Sequence, residues 1–157
     1  MYKKLLKLYE TEDNVDIHKI EFDGSSMYFI HKFRYNDLGD RIESGCIYMI
    51  YKDIGLNRFH SHTRPVLEYR IVHTVQDISH IELSNMYIEE QFRNKGIGSL
   101  LLRYFESKVI SKYFYDMDSL KGVLLMRSEN KLKKFYKKNG FEVKNGQIKK
   151  KINRIYE

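Results

Sequence analysis

The chain has 157 residues, a length that fits one domain with a core of its own. Apolar residues make up 42% and aromatic residues 14%, which predicts a packed interior and excludes a disordered chain. The formal net charge of +7 fits a polyanionic partner, either nucleic acid or a phosphate-bearing small molecule, or a solvated basic face.

Signals for export or membrane insertion are not found in the sequence. No run of about 18 apolar residues occurs, and the initial "MYKKLLKLYE" lacks the apolar stretch and cleavage site of a signal peptide. The single cysteine, Cys46, excludes an internal disulfide and fits a reducing compartment. We therefore expect a cytoplasmic protein with no membrane partner.

The first half of the chain predicts strands. Residues 1–10 fit either a helix or a first strand, because their apolar residues form a helical stripe. The turn composition of "NDLGD" at 36–40 fits a connection between antiparallel strands. Runs rich in Tyr, Ile, Val and Phe, which favour sheets, lie at 19–22, 27–35, 46–52 and 66–75.

The second half alternates strands with helices. A strand is predicted at 80–88, a buried strand at 122–126, and a short helix in "NKLKKFYKK" that ends at Asn139-Gly140. Asn145-Gly146 between alternating residues predicts a hairpin. The order predicts an α+β (mixed α/β) fold with a largely antiparallel sheet. A first helix presents an apolar face made of Leu100, Leu101, Tyr104, Phe105, Lys108 and Val109.

The stretch "RNKGIG" at 93–98 joins the predicted strand to this helix. The first N–H groups of a helix lack intrahelical acceptors, and the helix dipole makes them attractive to anions. Gly96 and Gly98 remove Cβ atoms that would hold a phosphate away, while Arg93 and Lys95 add positive charge. The spacing fits neither a P-loop nor a dinucleotide fingerprint, whose third glycine is replaced by Leu101. The stretch suits a pyrophosphate.

"MYIEEQFRNKGIGSLLLRYFE" resembles the acetyl-CoA-binding motif of the GNAT superfamily of N-acetyltransferases, in which "V-x-P-x-Y-R-G-K-G-I-G" runs into a leucine-rich helix. Ile88 stands at the motif valine, Phe92 at the tyrosine, and Glu90 replaces the proline. Asn94 replaces a frequent glycine. The direct matches are Arg93, Lys95, Gly96, Ile97 and Gly98.

A second block lies at the distance the family expects. "KLKKFYKKNGFEV" resembles "F-Y-x-K-x-G-F", with Phe135, Tyr136, Lys138, Gly140 and Phe141 matching. The two blocks define a cofactor-binding core at about residues 80–144. The resemblance implies one GNAT-like domain over residues 1–157. Its central, largely antiparallel sheet would be splayed and flanked by helices, behind a strand-rich N-terminal half.

The resemblance also implies roles for single residues. Acetyl-CoA would be the co-substrate. Tyr136 would be the general acid that protonates the leaving thiolate. The strand end would pair its backbone with the pantetheine arm, and an N–H near Tyr87–Ile88 would stabilise the oxyanion. The residues that would bind the cofactor are Met86, Tyr87 and Ile88 at the strand end, and Arg93, Asn94, Lys95, Gly96, Ile97, Gly98 and Ser99 in the loop.

Glu82 stands where some members of the family carry a general base. Strand alternation puts Glu82, Ser84 and Met86 on one face, from which the carboxylate can reach the same cleft. The alternative is a carboxylate paired with a neighbouring Lys or Arg.

Two departures from the family pattern stand out. The asparagine often found seven residues before the tyrosine is Glu129 here, so Asn130 is the cofactor ligand that remains. The N-terminal half shows no helical pair to wall the acceptor site. A pocket built from strands and loops rich in Tyr, His and Phe is the alternative.

Other candidate residues carry less weight. His60 and His62 form a His-x-His pair without acidic or Cys partners at ligand spacing, so no metal site is predicted. Cys46 lies in an apolar run and is interpreted as a core residue rather than an acyl carrier. Lys131 and Lys134 are candidates for the 3′-phosphate of CoA.

The leading hypothesis is an N-acetyltransferase that transfers acetyl from acetyl-CoA to a primary amine by direct attack in a ternary complex. The acceptor would be a small molecule or a protein amine. The alternatives are a GNAT-fold module that binds acyl-CoA or a protein partner without turnover, and a basic nucleic-acid-binding module, which is the least favoured. A homodimer is left open.

Overall fold

The computed structural model describes residues 7, 10, 12–53, 58–61, 65–73, 79–114, 116–124 and 129–152. Contacts along the chain divide it into two compact units. Unit 1 comprises Met1–Glu68 and Asn85–Tyr87, and unit 2 comprises Tyr69–Ser84 and Ile88–Glu157. The boundaries between the units fall after Glu68, Ser84 and Tyr87.

Unit 1 is built on antiparallel strands. Asp23 and Gly24 join the first two with φ values of 50° and 70°, the positive pair that a type I′ hairpin turn requires. The predicted strands at 19–22, 27–35 and 46–52 are confirmed. The strands are β1 (Val15–Phe22), β2 (Ser25–Tyr35), β3 (Ile42–Asp53) and β4 (Arg58–Ser61), with the order β1-β2-β3 and β4 paired to β3.

The core of unit 1 follows β2 and β3. Phe29, Ile30 and His31 are consecutive and fully buried, so this part of β2 is buried on both faces. The predicted turn at 36–40 is confirmed. Asn36 organises it by donating its N–H to Arg41 O at 2.8 Å and its side-chain amide to Asp40 Oδ1 at 2.8 Å.

Unit 2 carries the remaining strands, in the order β5-β6-β7-β9-β8. β6 and β7 are parallel, whereas β7 with β9 and β8 with β9 are antiparallel. The strands are β5 (Leu67–Val72), β6 (His80–Met86), β7 (Ser119–Val123), β8 (Glu142–Lys144) and β9 (Gln147–Lys151).

Three of the predicted strand boundaries need correction. β5 ends at Val72 and β6 at Met86, each before the predicted end. β7 begins at Ser119, three residues before the predicted 122. The prediction starts too late because Ser119 and Lys121 interrupt the apolar run that marks a buried strand. Leu125 and Met126 of that prediction lie outside the described residues.

One long helical stretch follows β6. It consists of α1 (Ile97–Tyr104), a π-helical segment (Phe105–Ile110) and one further turn, α2 (Ser111–Tyr113). The predicted apolar face is partly wrong. Leu102 and Ile110 are buried, while Leu100 is half-exposed and Lys108 exposed. The wider π turn changes the spacing after Tyr104, which accounts for Lys108 and Ile110 but not for Leu100 and Leu102.

The helix α3 (Glu129–Lys138) ends as predicted. Gly140 has φ 84° and donates its N–H to Lys137 O at 3.0 Å, and Phe141 N–H donates to Tyr136 O at 3.0 Å. This is the hydrogen-bond pattern of a Schellman cap. The predicted hairpin is confirmed too: Asn145 and Gly146, with φ 50° and 70°, connect β8 to β9.

Lys150 on β9 links several elements of unit 2. Its Nζ donates to Glu106 Oε1 at 2.8 Å and to Asn139 O at 2.9 Å, and it lies 5.6 Å from the centre of the Phe141 ring. The side chain is 22% exposed. Lys150 thereby ties the π-helical segment to the C-terminal end of α3.

The predicted fold class is confirmed: the protein is α+β, with largely antiparallel strands and helices alternating with the last of them. In the part of the chain that is described, no helix combines the length and apolar character needed to span a membrane.

Candidate functional site

The end of β6 is the first feature of the site. The parallel ladder pairs Ile81 with Leu120 and Leu83 with Gly122, and it stops there, although β6 continues to Met86. The two strands therefore share no ladder beyond Leu83.

At Gly122, the last residue of that ladder, the backbone of β6 and a side chain of β9 approach closely. A Cβ built on it would lie 3.2 Å from Leu83 O and 3.1 Å from the side chain of Ile148. Gly122 and Ile148 are both buried. The sequence "KGV" gave no sign of this, because close approach depends on which strands become neighbours.

The loop after β6 forms the second feature. A short 3₁₀ turn (Glu90–Phe92) is followed by Asn94 with φ 62° and Gly96 with φ 82°, both in the left-handed region. The first intrahelical bond of α1 joins Leu100 N–H to Gly96 O at 3.0 Å. The N–H groups of Ile97, Gly98 and Ser99 consequently have no acceptor within the helix.

Gly96 fits an anion cradle. No atom lies within 4 Å of the position a Cβ would take, so the backbone faces open space there. Asn94, Lys95 and Gly96 are exposed, and Gly98 and Ser99 are half-buried. Exposed N–H groups at the positive end of a helix suit a phosphate group.

Arg93 already uses two of its hydrogen-bond donors within the segment 88–93. Its N–H donates to Glu90 O at 3.1 Å, and its side-chain Nε donates to Ile88 O at 2.8 Å. The backbone donor predicted at Arg93 is therefore already used within the turn. The residues that can still offer backbone donors run from Asn94 to Ser99, and the Arg93 side chain ties the loop to Ile88.

Tyr136 lies in α3 and is 6% exposed. Its ring contacts Phe135 and Phe141 edge-on, at centroid distances of 5.1 and 5.3 Å. Burial raises the pKa of Tyr136 to about 12, because a phenolate in this apolar setting would lose its hydration. The hydroxyl thus keeps its proton at neutral pH.

Glu82 is ion-paired with Arg70 of β5. Arg70 Nε lies 2.9 Å and Nη2 2.8 Å from Glu82 Oε1. Both contacts end on the same carboxylate oxygen. The sequence named this alternative without identifying the partner, because only the β5–β6 pairing brings Arg70 beside Glu82.

The other predicted site residues are placed as follows. Tyr87 N–H donates to Val66 O at 2.9 Å, so Ile88 offers the remaining backbone donor of the predicted Tyr87–Ile88 pair. Met86 and Tyr87 belong to unit 1, and Ile88 and the loop belong to unit 2. Asn130 is exposed in the first turn of α3.

The residues that carried less weight are placed as follows. Cys46 on β3 is half-buried, and burial raises the pKa of its thiol, which makes it a poor nucleophile. His60 lies in β4, and His62 lies outside the described residues. Within the described ranges, no cluster of His, Cys, Asp or Glu could hold a metal ion. Lys131 and Lys134 are exposed on α3.

A parallel strand, a left-handed glycine loop and a helix opening onto it define an α+β protein whose loop geometry suits an anion. Comparison with family profiles matches residues 43–143, well over half the chain, to the acetyltransferase (GNAT) domain. The chain therefore belongs to the GNAT family. This confirms the resemblance drawn from the two sequence blocks.

Three solved structures are similar to this chain. Ard1 from Thermoplasma volcanium is 18% identical, covering 68% of this chain and 71% of its own, with a TM-score of 0.45. AtaTR bound with acetyl-CoA is 12% identical, with coverages of 90% and 95% and a TM-score of 0.47. Arabidopsis thaliana Naa50 with a bisubstrate analogue is 19% identical, with coverages of 96% and 93% and a TM-score of 0.43. Comparison with curated proteins gives no match.

Proposed function

We propose that this protein is an N-acetyltransferase that transfers acetyl from acetyl-CoA to a primary amine by direct attack in a ternary complex. The observation that carries the proposal is the loop of Asn94 and Gly96 at the start of α1, in a chain that belongs to the GNAT family. The loop offers unpaired donors and open space to a pyrophosphate. The proposal includes the other predicted contacts with the cofactor. The backbone of Met86–Ile88 would pair with the pantetheine arm, Asn130 would be a cofactor ligand, and Lys131 and Lys134 would contact the 3′-phosphate of CoA.

Tyr136 would supply the proton for the departing thiolate. A phenol with a pKa of about 12 is protonated throughout the working range, so it can act as a hydrogen-bond donor and acid. The Ile88 N–H would donate to the thioester oxygen as negative charge develops on it.

Glu82 would accept the proton that the acceptor amine must lose before or during attack. Because both Arg70 contacts end on Oε1, Oε2 is the oxygen we assign to this task. Arg70 would then be a positioning residue, since two donors on one oxygen hold the carboxylate in a single orientation.

A second function is favoured by the same ion pair. If the contact with Arg70 commits Glu82 to a structural role, the protein would bind acyl-CoA without turnover. Such a protein would use the same loop for the cofactor and would have no base for the amine.

One experiment separates the two functions. Release of free thiol from acetyl-CoA is measured over a panel of amines, beside calorimetric titration with acetyl-CoA and CoA. Amine-dependent thiol release supports the transferase. Tight binding without release from any amine supports the binding protein, and the absence of binding contradicts both.

The base is tested with Glu82→Gln, a variant of similar shape. We expect kcat to fall by about 10²-fold near neutral pH, with partial recovery as pH rises and more free amine is present. Unchanged kcat at pH 7 would show that Glu82 is not the base.

A further inference from the structure

The surroundings of Glu82 extend as a row of charged residues across unit 2. Glu82 on β6 is directly opposite Lys121 on β7, and Lys121 is directly opposite Lys149 on β9. Directly opposite residues in a ladder point to the same face of a sheet. Arg70 reaches Glu82 from β5, on the other side. Glu82 is thus flanked by cationic residues on both neighbouring strands.

The row has more positive than negative charge near Glu82. Three cationic residues, Arg70, Lys121 and Lys149, share the row with two carboxylates, Glu82 and Glu142, and Glu142 is opposite Lys149 at the outer strand β8. Among the ion pairs between described residues, Arg70 is the partner of Glu82, and neither Lys121 nor Lys149 takes part in one. Lys149 is exposed and Lys121 half-buried.

The row mixes favourable and unfavourable neighbours, because Glu82–Lys121 and Lys149–Glu142 are opposite charges across a ladder whereas Lys121 and Lys149 are like charges. Like charges directly opposite each other in a ladder are destabilising, and Lys121 and Lys149 stand in this relation. Exposed opposite-charge pairs add at most about 1 kcal/mol each, so the two carboxylates compensate the pair of lysines only weakly. A bound anion would remove the repulsion and use both ammonium groups.

We propose that the acceptor is a small primary amine that also carries an anionic group, a phosphate or a carboxylate. This rests on the proposed function, because it assigns the amine to Glu82. Adjacent strands are about 5 Å apart, so the lysine backbones lie about one and two strand spacings, roughly 5 and 10 Å, from that of Glu82. An amine and an anion separated by a few bonds fit this row. Arg70, Lys121 and Lys149 would repel a second amine.

The reaction balances without further reactants. The amine nitrogen forms a bond to the acetyl carbon, the carbon–sulfur bond of the thioester breaks, and the electron pair leaves with sulfur. Glu82 takes the proton from nitrogen and Tyr136 gives one to the thiolate. The anionic group of the acceptor takes no part in these steps and serves only to orient the amine.

The first test compares matched acceptors in the intact protein. Ethanolamine is compared with O-phosphoethanolamine, and pentylamine with 5-aminopentanoate and cadaverine, by thiol release from acetyl-CoA. We expect kcat/KM to be about tenfold higher for each anionic amine than for its neutral partner, lowest for cadaverine, and the preference to shrink with added salt. Equal or higher values for pentylamine or cadaverine would overturn the proposal and leave the transferase function standing.

The second test uses Lys121→Gln and Lys149→Gln. Each variant should lower kcat/KM for O-phosphoethanolamine about fivefold while leaving ethanolamine and the KM for acetyl-CoA unchanged. Lys108→Gln, an exposed lysine on the π-helical segment, is the matched control and should change neither. Equal losses for both acceptors would contradict the proposal. Should one variant not fold, the other variant and the wild-type comparison still decide.

The two levels of the hypothesis fail in different ways. If no amine of the panel is acetylated while acetyl-CoA binds, the proposed function fails and the acceptor proposal fails with it. If amines are acetylated without regard to the anionic group, only the acceptor proposal fails.

Discussion

Tyr136 joins a structural and a chemical property in one side chain. Its ring is packed between two aromatic neighbours, and its hydroxyl keeps the proton because burial raises the pKa to about 12. An apolar setting costs a phenolate its hydration but leaves a neutral phenol nearly unaffected. The residue can therefore donate a proton and cannot serve as a base at neutral pH.

Tyr136→Phe tests this assignment. We expect kcat to fall by about 10²-fold, because the thiolate then leaves without an acid, while affinity for acetyl-CoA changes little. Stopped-flow thiol release and calorimetry measure the two quantities. Unchanged turnover would mean that another group, or water, protonates the thiolate.

Substitution of Gly122 tests how closely Leu83 and Ile148 approach the end of the β6–β7 ladder. Gly122→Ala would put a methyl group 3.2 Å from Leu83 O and 3.1 Å from Ile148. Leu83 and Ile148 are buried in the strands on either side of β7, so they cannot easily move away from the added methyl group. We therefore expect a loss of about 1–3 kcal/mol in the free energy of unfolding. Urea denaturation measures it, with Gly24→Ala, whose Cβ meets no atom within 4 Å, as a variant strained only in its backbone.

Single residues also mark how far the sequence could predict the site. Tyr136 and the loop glycines are candidates because their motifs are local, and their roles stay predictions. Arg70 was missed, because its partnership with Glu82 joins residues 12 positions apart through strand pairing. Arg93 was assigned a cofactor contact, whereas its N–H closes the 3₁₀ turn. A motif identifies a residue, but it does not show which of that residue's hydrogen-bond donors are already used within its own turn.

Among the elements, the loop that opens α1 has a backbone only glycine adopts readily. Gly96 has φ 82°, and its missing side chain leaves open space beside the helix N-terminus. Gly39, in the turn between β2 and β3, has φ 73° and equally open surroundings. The two positions carry similar backbone strain when substituted but differ in what lies next to them.

This pair gives a controlled test of the cofactor loop. Gly96→Val and Gly39→Val should each destabilise the fold by about 1–3 kcal/mol. Only Gly96→Val should weaken acetyl-CoA binding, by tenfold or more, since its side chain and altered loop would oppose the phosphate. Calorimetric titration distinguishes them. Equal affinities for both variants would place the pyrophosphate elsewhere.

Elements were predicted well where the signal lies in a few neighbouring residues. Asn145-Gly146 and the cap at Gly140 both have positive φ, as their residue types indicate. The Asp23-Gly24 turn carries the same signal and could have been predicted. The start of β7 could not, because polar residues interrupt its apolar run, and the buried face after Tyr104 could not, because a π turn changes the helical spacing there.

For the molecule as a whole, Tyr136 links stability to alkaline pH. The folded state holds the phenol proton up to a pKa of about 12, whereas an unfolded tyrosine releases it near 10. Below pH 10 both states are protonated, and the full stability is present. Between pH 10 and 12 unfolding releases a proton, so stability falls as pH rises, by about 2–3 kcal/mol in total.

Comparison with Tyr136→Phe isolates this contribution from the other tyrosines and the lysines. We expect the wild type to lose more unfolding free energy than the variant between pH 9 and pH 11.5, as measured by urea denaturation at each pH. Parallel loss in both proteins would show that burial does not raise the pKa of Tyr136.

Lys150 has a consequence for the protein's own resistance to acylation. A lysine reacts with an activated acyl compound through its unprotonated nitrogen, and the Lys150 ammonium donates to Glu106 and Asn139 above the Phe141 ring. To react, it would have to leave both acceptors. Exposed Lys149, its neighbour in the chain, has no such restraint. On treatment of the folded protein with an acetylating reagent, mass spectrometry should find Lys149 modified long before Lys150. The contacts of Lys150 at the end of α3 would then persist while exposed lysines around it become acetylated.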